Sequence, residues 1–405
     1  MKYSLCLFLT FLAIYGYAQP LTDEITIIKH HPTEDVLAVG YKSGKIELYS
    51  LNPLIKLLGS TNQIASESDT KKDQILSIDF LNGYPFIFVL FEHNRLAFLS
   101  TNDCSVMISN GIHINLMHYS RRGDEIVKLS DFDFNSNLLA ISGNTVSRIS
   151  LIDLNKLYDL CERRFTPLIT TRKCQETELV GGFFNMAKTE EDVHGSILGI
   201  LEAENASAPF SCLKIAPGGN EVYAGTEAGK LYKWRVDKSN LPDLENCGHI
   251  DPCNYKTISN ARAEYKDRSL FSIDMINNTL VSSCMNNPGL GNLQFWDTAL
   301  LHLYHFSDAG LYKKLQLSAD ENYLATSSNA RYRLLKKING TFTPVSNFLR
   351  DNPGIPHSQK HTVEFIGNDT LALANGTNIY FYKLPSISLL YTLRPVNHPL
   401  TQTLP

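Results

Sequence analysis

The sequence has little net charge, and it lacks the short motifs of the common catalytic and nucleotide-binding sites. Its 405 residues carry 37 Lys and Arg against 41 Asp and Glu, with no long block of like charge. Because non-specific binding of nucleic acid needs a clustered basic excess, this balance argues against a nucleic-acid partner. The patterns G-x-S-x-G, G-x-x-x-x-G-K-[ST] and H-E-x-x-H and the EF-hand loop are absent. The sequence therefore predicts no catalytic residue and no cofactor.

Long hydrophobic runs are also missing, apart from one at the N-terminus. After Lys2, the residues from Leu5 to Tyr15 form a mostly apolar run of eleven, which is too short to cross a bilayer. Small residues at Gly16 and Ala18 precede a possible cleavage point at Gln19, the layout of a secretory signal peptide. A buried N-terminal strand is the alternative. We expect residues 1–18 to be removed and the mature chain, 19–405, to be secreted or periplasmic with no membrane span.

Cysteine occurs eight times, and export changes how these residues are interpreted. Cys6 would leave with the signal peptide, so an odd number would remain and at least one would stay free or pair between chains. Cys212 and Cys284 lie in apolar, strand-like windows and are predicted to be buried hydrophobic residues. The candidate disulfide partners are Cys161 with Cys174 and Cys247 with Cys253.

The second of these pairs also has a spacing that suits a metal. Cys247, His249, Asp251 and Cys253 recur at every second residue, which in an extended segment places four ligands for zinc on one face. Gly248 and Pro252 favour a turn instead, and an oxidising compartment favours a disulfide. We expect the disulfide more than the metal, and a third possibility is that neither forms.

The stretch from Pro209 to Asp237 shows the pattern on which most of the chain is built. Its apolar residues alternate in three short segments, separated by turn residues at Pro217-Gly218-Gly219 and Ala228-Gly229. Alternation between glycine and proline breaks predicts a meander of β-strands. Six further windows between Ile25 and Leu393 repeat this pattern.

The seven windows can be aligned on their first turns, at Pro32, Asn82, Ser136, Pro217, Asn277, Ala319 and Gly367. Four and two residues before these positions, thirteen of fourteen residues are apolar; the third window supplies Phe132 and Phe134, and His30 is the exception. Such repeats bury their faces only by stacking on their neighbours. The sequence therefore predicts an all-β fold, a seven-bladed β-propeller of four-stranded antiparallel blades in one domain.

Several motifs resemble those of the WD-repeat family. Phe295-Trp296-Asp297 carries the dipeptide that names the family, Lys233-Trp234-Arg235 keeps the tryptophan and Leu151-Ile152-Asp153 keeps the aspartate. The Gly-His pair that precedes each blade in that family is almost absent, with Gly248-His249 as the one candidate. This departure implies that the family's buried His–Ser–Asp–Trp hydrogen-bond network is missing from most blades. The resemblance implies a rigid ring that binds a protein or peptide on one rim.

A long irregular segment, at about 155–208, interrupts the repeats. It contains an acidic patch at Glu190, Glu191 and Asp192 and an apolar stretch from Gly195 to Glu202. Because ordinary loops between blades are much shorter, we expect a partner-binding loop docked on the ring by its apolar stretch. Disorder and family-specific decoration are the alternatives.

Five Asn-x-Ser/Thr sequons complete the set of candidate sites, and several coincide with predicted turns. They are candidates for N-glycosylation if the protein is exported in an organism that glycosylates. The residues are Asn205, Asn277, Asn339, Asn368 and Asn375.

The leading functional prediction is a binding scaffold for a protein or peptide. The alternative is a propeller enzyme of hydrolase or lyase type, with its site at the mouth of the central channel. Such a site gathers polar residues from several blades around the axis. At the aligned positions expected to line the channel, His30 is the one polar residue, and this disfavours the enzyme.

Overall fold

The computed structural model describes residues 23–52, 54–61, 74–91, 95–104, 106–113, 127–143, 148–158, 197–202, 208–236, 270–284, 293–300, 302–306, 312, 314–327, 332–345 and 362–394. These residues form seven antiparallel sheets, and the strands of each sheet are consecutive in sequence.

We number the sheets as blades in chain order. Blades 1 to 3 comprise β1 (Ile25–His30), β2 (Val36–Tyr41), β3 (Ile46–Ser50) and β4 (Lys56–Thr61); β5 (Ile75–Phe80), β6 (Phe86–Phe91), β7 (Arg95–Ser100) and β8 (Val106–His113); and β9 (Val127–Asp133), β10 (Leu138–Gly143), β11 (Arg148–Asp153) and β12 (Ile197–Glu202). Blades 4 to 7 comprise β13 (Phe210–Ile215), β14 (Glu221–Thr226) and β15 (Leu231–Arg235); β16 (Leu270–Ile276), β17 (Thr279–Cys284), β18 (Leu293–Trp296) and β19 (His302–Phe306); β20 (Lys314–Leu317), β21 (Tyr323–Ser327), β22 (Tyr332–Ile338) and β23 (Thr341–Pro344); and β24 (Thr362–Ile366), β25 (Thr370–Asn375), β26 (Asn378–Lys383) and β27 (Ser388–Leu393).

The first strands of the seven blades surround one axis. β1 contacts β5, β5 contacts β9, and the series continues through β13, β16, β20 and β24. β24 contacts β1 in turn, so the ring is closed. The protein is a seven-bladed β-propeller, and the predicted fold class is confirmed. Blade 4 has three described strands, and residues 237–269 after it lie outside the described ranges.

Packing between neighbouring blades buries the apolar residues. Between blades 1 and 2, for example, Ala38 and Leu48 pack against Ile78, Phe80 and Val89. β6 is buried along its whole length, as its unbroken apolar sequence FIFVLF predicts for a strand covered on both faces. The alternation of each first strand therefore fills the joints of the ring with apolar side chains.

The joint between blades 7 and 1 closes the ring without an exchange of strands between the described parts of these two sheets. Ile25 and Tyr41 of blade 1 pack against Ala372, Ile379 and Phe381 of blade 7 in one buried cluster. The backbone N–H of Ile25 also donates to the carbonyl oxygen of Gly376, at 2.9 Å. Side-chain packing and single hydrogen bonds thus hold the two ends of the ring together.

The predicted alignment of blade 3 was wrong by two residues. In the observed register Phe132 pairs with Leu139, as Ile215 pairs with Val222 in blade 4. The residue four before the first turn is therefore Ser130, and Phe134 belongs to the turn. The error arose because the apolar Phe134 was assigned to the strand, whereas the turn covers residues 134–137.

The apolar end of the predicted insertion is a strand of the blade. Ile197–Glu202 is β12, the fourth strand of blade 3, and it pairs with β11 from Arg148↔Glu202 to Ile152↔Ile197. Leu201 is fully buried in the joint between blades 3 and 4. The prediction that residues 195–202 dock a loop on the ring is corrected, and the connection that remains runs from 154 to 196.

Several predictions concern residues outside the described ranges. These are the signal peptide, both candidate disulfide pairs, the acidic patch at 190–192 and the sequon at Asn205. Within the described residues Cys104, Cys212 and Cys284 are buried, as expected for the last two. In the same residues no helix is long and apolar enough to cross a membrane.

Candidate functional site

A ring of polar side chains faces the axis of the propeller. These residues lie between the two positions of each first strand that face the joints, so alternation directs them to the opposite side of the strand. Electrostatic interactions between these residues extend around the axis. For example, Lys29 of blade 1 interacts with Asp131 of blade 3 and with Glu364 of blade 7. We call the set the axial ring: Lys29, Asp79, Asp131, Lys214, Asp274, Gln316 and Glu364.

The sequence-based expectation for the channel lining was therefore wrong by one residue. The fourteen positions compared in the sequence face the joints between blades, where Ile28 and Ile78, for example, are buried. His30 belongs to this set: its Nε2 is buried and has no hydrogen-bond partner among the described residues, and burial lowers its pKa to about 4. The signal that could have located the channel is the residue three before each turn, which is polar in every blade: in blade 3 it is Asp133 in the predicted alignment and Asp131 in the observed one.

On one side of the axial ring a lysine lies between two aspartates. Nζ of Lys214 is 3.1 Å from Oδ1 of Asp274 and 3.7 Å from Oδ1 of Asp131. Burial by itself lowers the pKa of Lys214, but the two carboxylates outweigh it and raise the pKa above its ordinary value. For Asp131 burial is the larger effect, and it raises the pKa to about 6 although Lys214 opposes it.

The other lysine of the axial ring has a single close carboxylate. Nζ of Lys29 is 2.9 Å from Oδ1 of Asp79, whose Oδ2 accepts a hydrogen bond from the Ser77 hydroxyl at 2.7 Å. Burial lowers the pKa of Lys29, but Asp79 and Glu364 together raise it above its ordinary value. Both lysines of the axial ring therefore stay protonated at neutral pH.

Three axial carboxylates also bind the backbone of the next blade. Asp131 accepts from the N–H of Ile215 at 2.7 Å and Asp274 from that of Leu317 at 2.5 Å. Glu364 accepts from the N–H of His30 at 3.3 Å and, through its other oxygen, from Nε2 of Gln316 at 2.8 Å. These three carboxylates thus link blade 3 to blade 4, blade 5 to blade 6 and blade 7 to blade 1.

One end of the ring carries the turns that follow the first strands, and we call it the turn face: 31–35, 81–85, 134–137, 216–220, 277–278, 318–322 and 367–369. Hydrogen bonds tie neighbouring turns together. The Asn137 side chain accepts from the N–H of Asn82 at 2.8 Å and donates to its carbonyl at 2.9 Å. Nδ2 of Asn277 donates to Oε1 of Glu321 at 2.7 Å. These bonds link the turn of blade 2 to that of blade 3 and the turn of blade 5 to that of blade 6.

The long connection in blade 3 leaves and re-enters the ring at the turn face. β11 ends at Asp153, beside the start of β10, and β12 begins beside Ile152. Asn155, just after β11, accepts a hydrogen bond from Nδ2 of Asn137 at 2.7 Å. A short helix at 154–158 follows, with Leu157 and Tyr158 buried against blade 2. Both ends of the segment that carries the acidic patch are therefore fixed on the turn face.

Exposed acidic residues lie on the same face. Glu34, Asp35 and Asp320 are exposed and have no ion pair among the described residues. Partial burial raises the pKa of Asp320, but hydrogen bonds from Ser318 and Asn322 outweigh it and hold the pKa below its ordinary range. In contrast, the Lys337 ammonium is paired with Glu321 at 3.0 Å. Among the turns that define the turn face, these three carboxyl groups therefore have no described counter-ion.

The described sequons fall on both ends of the propeller. Asn277, Asn339 and Asn368 are exposed in turns at the end that carries the turn face. The amide of Asn277 is already bonded to Glu321. Asn375 ends β25 at the opposite end and is partly buried. The exposed positions of Asn339 and Asn368 suit modification best.

Blade 5 contains part of the buried network that the WD-repeat resemblance implies. Nε1 of Trp296 donates to the hydroxyl of Ser282 at 2.9 Å, and both side chains are buried. His249 lies outside the described residues. In the parts of the chain that the structure describes, no group of three or more His, Cys, Asp or Glu could hold a metal ion.

Comparisons with known proteins support the fold alone. No family model and no curated protein matches the chain. Its structure is similar to that of the computationally designed Ika8 protein, with a TM-score of 0.51, 11% identity and coverage of 92% of this chain and 87% of the other. Hsv2 of Kluyveromyces lactis aligns with a TM-score of 0.49 and 10% identity, over 92% of this chain and 99% of Hsv2.

Proposed function

We propose that this propeller is an exported, WD-repeat-like scaffold that binds a protein or peptide partner on its turn face. The observation that carries the proposal is the position of the long connection in blade 3. Both ends of this connection are fixed on the turn face, and its sequence contains Glu190, Glu191 and Asp192. The Trp296–Ser282 hydrogen bond supports the WD-repeat comparison in blade 5.

The chemistry of the turn face favours a basic partner segment. The exposed acids Glu34, Asp35 and Asp320 carry no described ion pair, so a lysine- or arginine-rich segment would gain complementary charge. Hydrogen bonds already link the turns of blades 2 and 3 and those of blades 5 and 6. Order that exists before binding reduces the entropy that the turn face loses when a partner binds.

The axial ring gives the enzyme alternative no comparable support. It does gather polar residues from all seven blades, as such a site requires. However, Asp131, Asp274 and Glu364 each accept a backbone hydrogen bond from the next blade. These carboxylates stabilise the ring, and the scaffold remains the proposal.

Capture of the partner from the native extract tests this proposal. The immobilised wild-type protein is compared with a triple variant, Glu190→Lys, Glu191→Lys and Asp192→Lys, and with Glu34→Lys. The matched control is Lys42→Glu, which changes an exposed charge at the opposite end of the propeller. We expect the triple variant and Glu34→Lys each to weaken capture at least tenfold, the control to leave it unchanged, and added salt to weaken wild-type capture.

The opposite result would place the site elsewhere. If Lys42→Glu abolished capture while the triple variant and Glu34→Lys did not, the partner would bind the other end of the ring. Export is tested separately by N-terminal sequencing of the native protein. A mature chain that begins near Gln19 supports it, and a retained Met1 contradicts it.

A further inference from the structure

A third lysine, Lys314, faces the channel and differs from the two lysines of the axial ring. It lies on β20 two residues before Gln316, so both side chains project from the same face of the strand. Lys29 and Lys214 each have a carboxylate within about 3 Å. Nζ of Lys314 instead donates to the hydroxyl of Thr362, at 3.1 Å, and has no ion pair among the described residues.

The surroundings of Lys314 explain why it lacks a counter-ion. The equivalent positions of the other blades carry no charge; they are Ile27, Ser77, Leu129, Cys212, Ser272 and Thr362. The charged groups that face it belong to the axial ring and act from a greater distance: Glu364 on β24, Lys29 on β1, Asp79 on β5 and Asp274 on β16.

The two kinds of environment shift the pKa of the lysine amines in opposite directions. Burial lowers the pKa of Lys314, and the more distant Glu364 does not offset this. For Lys29 and Lys214, the close carboxylates overcome burial and raise the pKa. Since only the unprotonated amine is a nucleophile, the contrast sets Lys314 apart from the other two. Lys314 is also partly exposed, as a residue that reacts with a small molecule must be.

We propose that Lys314 is a nucleophilic amine that captures a small carbonyl compound in the channel as a reversible imine. The lone pair of Nζ attacks the carbonyl carbon, and the π electrons of the C=O bond move to oxygen. A proton transfer from nitrogen to oxygen gives a neutral carbinolamine. Loss of hydroxide and of the remaining N–H proton, together one water, forms the C=N bond. No oxidant or further reactant is needed.

Thr362 has a positioning role in this proposal. Its hydroxyl accepts a hydrogen bond from Nζ of Lys314 across the joint between blades 6 and 7. It orients the amine without contributing a negative charge. An acidic residue at this position would hold the amine protonated, as Asp79 does for Lys29.

Reductive alkylation of the folded protein tests the proposal. The full chain is treated with acetaldehyde and sodium cyanoborohydride at pH 7, and modified lysines are located by peptide mass spectrometry. We expect Lys314 to be alkylated at least tenfold faster than Lys29 and Lys214. The exposed Lys42 serves as a reference for reagent activity. Between pH 9 and pH 7 the rate at Lys314 should fall less than the rate at free Nα-acetyl-lysine treated in parallel, because the lowered pKa of Lys314 leaves more free amine.

Two variants at Thr362 sharpen the test. T362D supplies a carboxylate and should reduce the labelling of Lys314 to the level of Lys29, whereas T362V should leave it labelled. If T362D does not fold, the comparison of the three lysines in the wild type decides. Equal rates at Lys314, Lys29 and Lys214, or no labelling of Lys314 while Lys42 reacts, would overturn the proposal, as would unchanged labelling in folded T362D.

Discussion

The joint between blades 7 and 1 and the joint between blades 5 and 6 use the same two devices. Each contains a buried apolar cluster that includes a fully buried phenylalanine, Phe381 in the first joint and Phe295 in the second. Each also contains an axial carboxylate that accepts a backbone N–H from the next blade. The bonded residues are 334 positions apart in the first joint and 43 apart in the second. Separation along the chain therefore does not change the chemistry of a joint.

The two joints differ in how many polar links support them. Between blades 5 and 6, Ser272 accepts from the N–H of Leu315 and Ser283 donates to the carbonyl of Tyr312, besides the bonds of Asn277 and Thr279 to Glu321. Between blades 7 and 1 the structure shows the Glu364–His30 bond and the Ile25–Gly376 backbone bond. The closure joint therefore depends more on apolar packing than the internal joint does.

Removal of the buried phenylalanine from each joint should have the largest effect on stability and tests the comparison most strongly. Phe381→Ala and Phe295→Ala each delete a fully buried side chain, so each should lower the free energy of unfolding by about 3–5 kcal/mol. Chemical denaturation of both variants measures the loss. If Phe381→Ala cost less than about 1 kcal/mol while Phe295→Ala cost the full amount, the ring would not be closed in solution.

Removal of the axial carboxylate should lower the free energy of unfolding by different amounts in the two joints. Asp274→Ala leaves the N–H of Leu317 unpaired and removes the closest counter-ion of Lys214, which we expect to cost about 3 kcal/mol. Glu364→Ala leaves the N–H of His30 and the amide of Gln316 unpaired and should cost about 2 kcal/mol. Denaturation midpoints of both variants test the order. A larger loss for Glu364→Ala would show that the closure joint depends on its polar link after all.

The pH dependence of Asp131 tests the same kind of link between blades 3 and 4. Its pKa rises from the ordinary 3.8 to about 6 in the folded protein, so the folded state binds a proton more tightly than the unfolded chain. The resulting stability is fully present below about pH 4 and is lost as the pH rises through 6. Asp131→Asn cannot titrate, and it serves as the reference. The stability of wild type relative to this variant should increase on the order of 2 kcal/mol from pH 7 to pH 4, and a decrease would contradict the assignment.

An ion pair on the turn face of blade 7 should matter least. Asp369 and Lys383 are bonded to each other, but both side chains are substantially exposed. Asp369→Asn should therefore lower the free energy of unfolding by less than about 1 kcal/mol, and 0.5 M salt should remove the difference. A loss of more than about 2 kcal/mol in thermal or chemical unfolding would mean that this pair supports the closure joint.

Much of the fold follows from the sequence because a blade is a local unit with a strict period of two. Alternation and turn residues located every first strand, and the unbroken apolar run of β6 predicted its burial on both faces. β12 was missed since 43 residues separate its start from the end of β11, and no local pattern joins a strand to a partner at that distance. Its apolar sequence was instead assigned to a docked loop.

The axial ring was missed for a different reason. Alternation of side chains with a period of two residues defines two faces of a strand but does not show which face meets the axis. The apolar residues of the first strands were therefore assigned to the channel. In the closed ring the apolar set, such as Ile28 and Ile78, fills the joints, and the polar set, such as Lys29 and Asp79, faces the axis. The pairing of Lys214 with Asp131 and Asp274 depends on three blades meeting, which no local pattern predicts.

Hydrogen exchange at three equivalent amides tests the closed ring most directly. The N–H groups of Ile215, Leu317 and His30 all donate to axial carboxylates, and that of His30 does so across the closure joint. Exchange of the native protein, read by mass spectrometry with residue-level fragmentation, gives the protection of each amide. A closed ring predicts that His30 is protected within about tenfold of Ile215 and Leu317, since all three open with the ring. Exchange of His30 a thousandfold faster, with the other two still protected, would show that blades 7 and 1 are not joined.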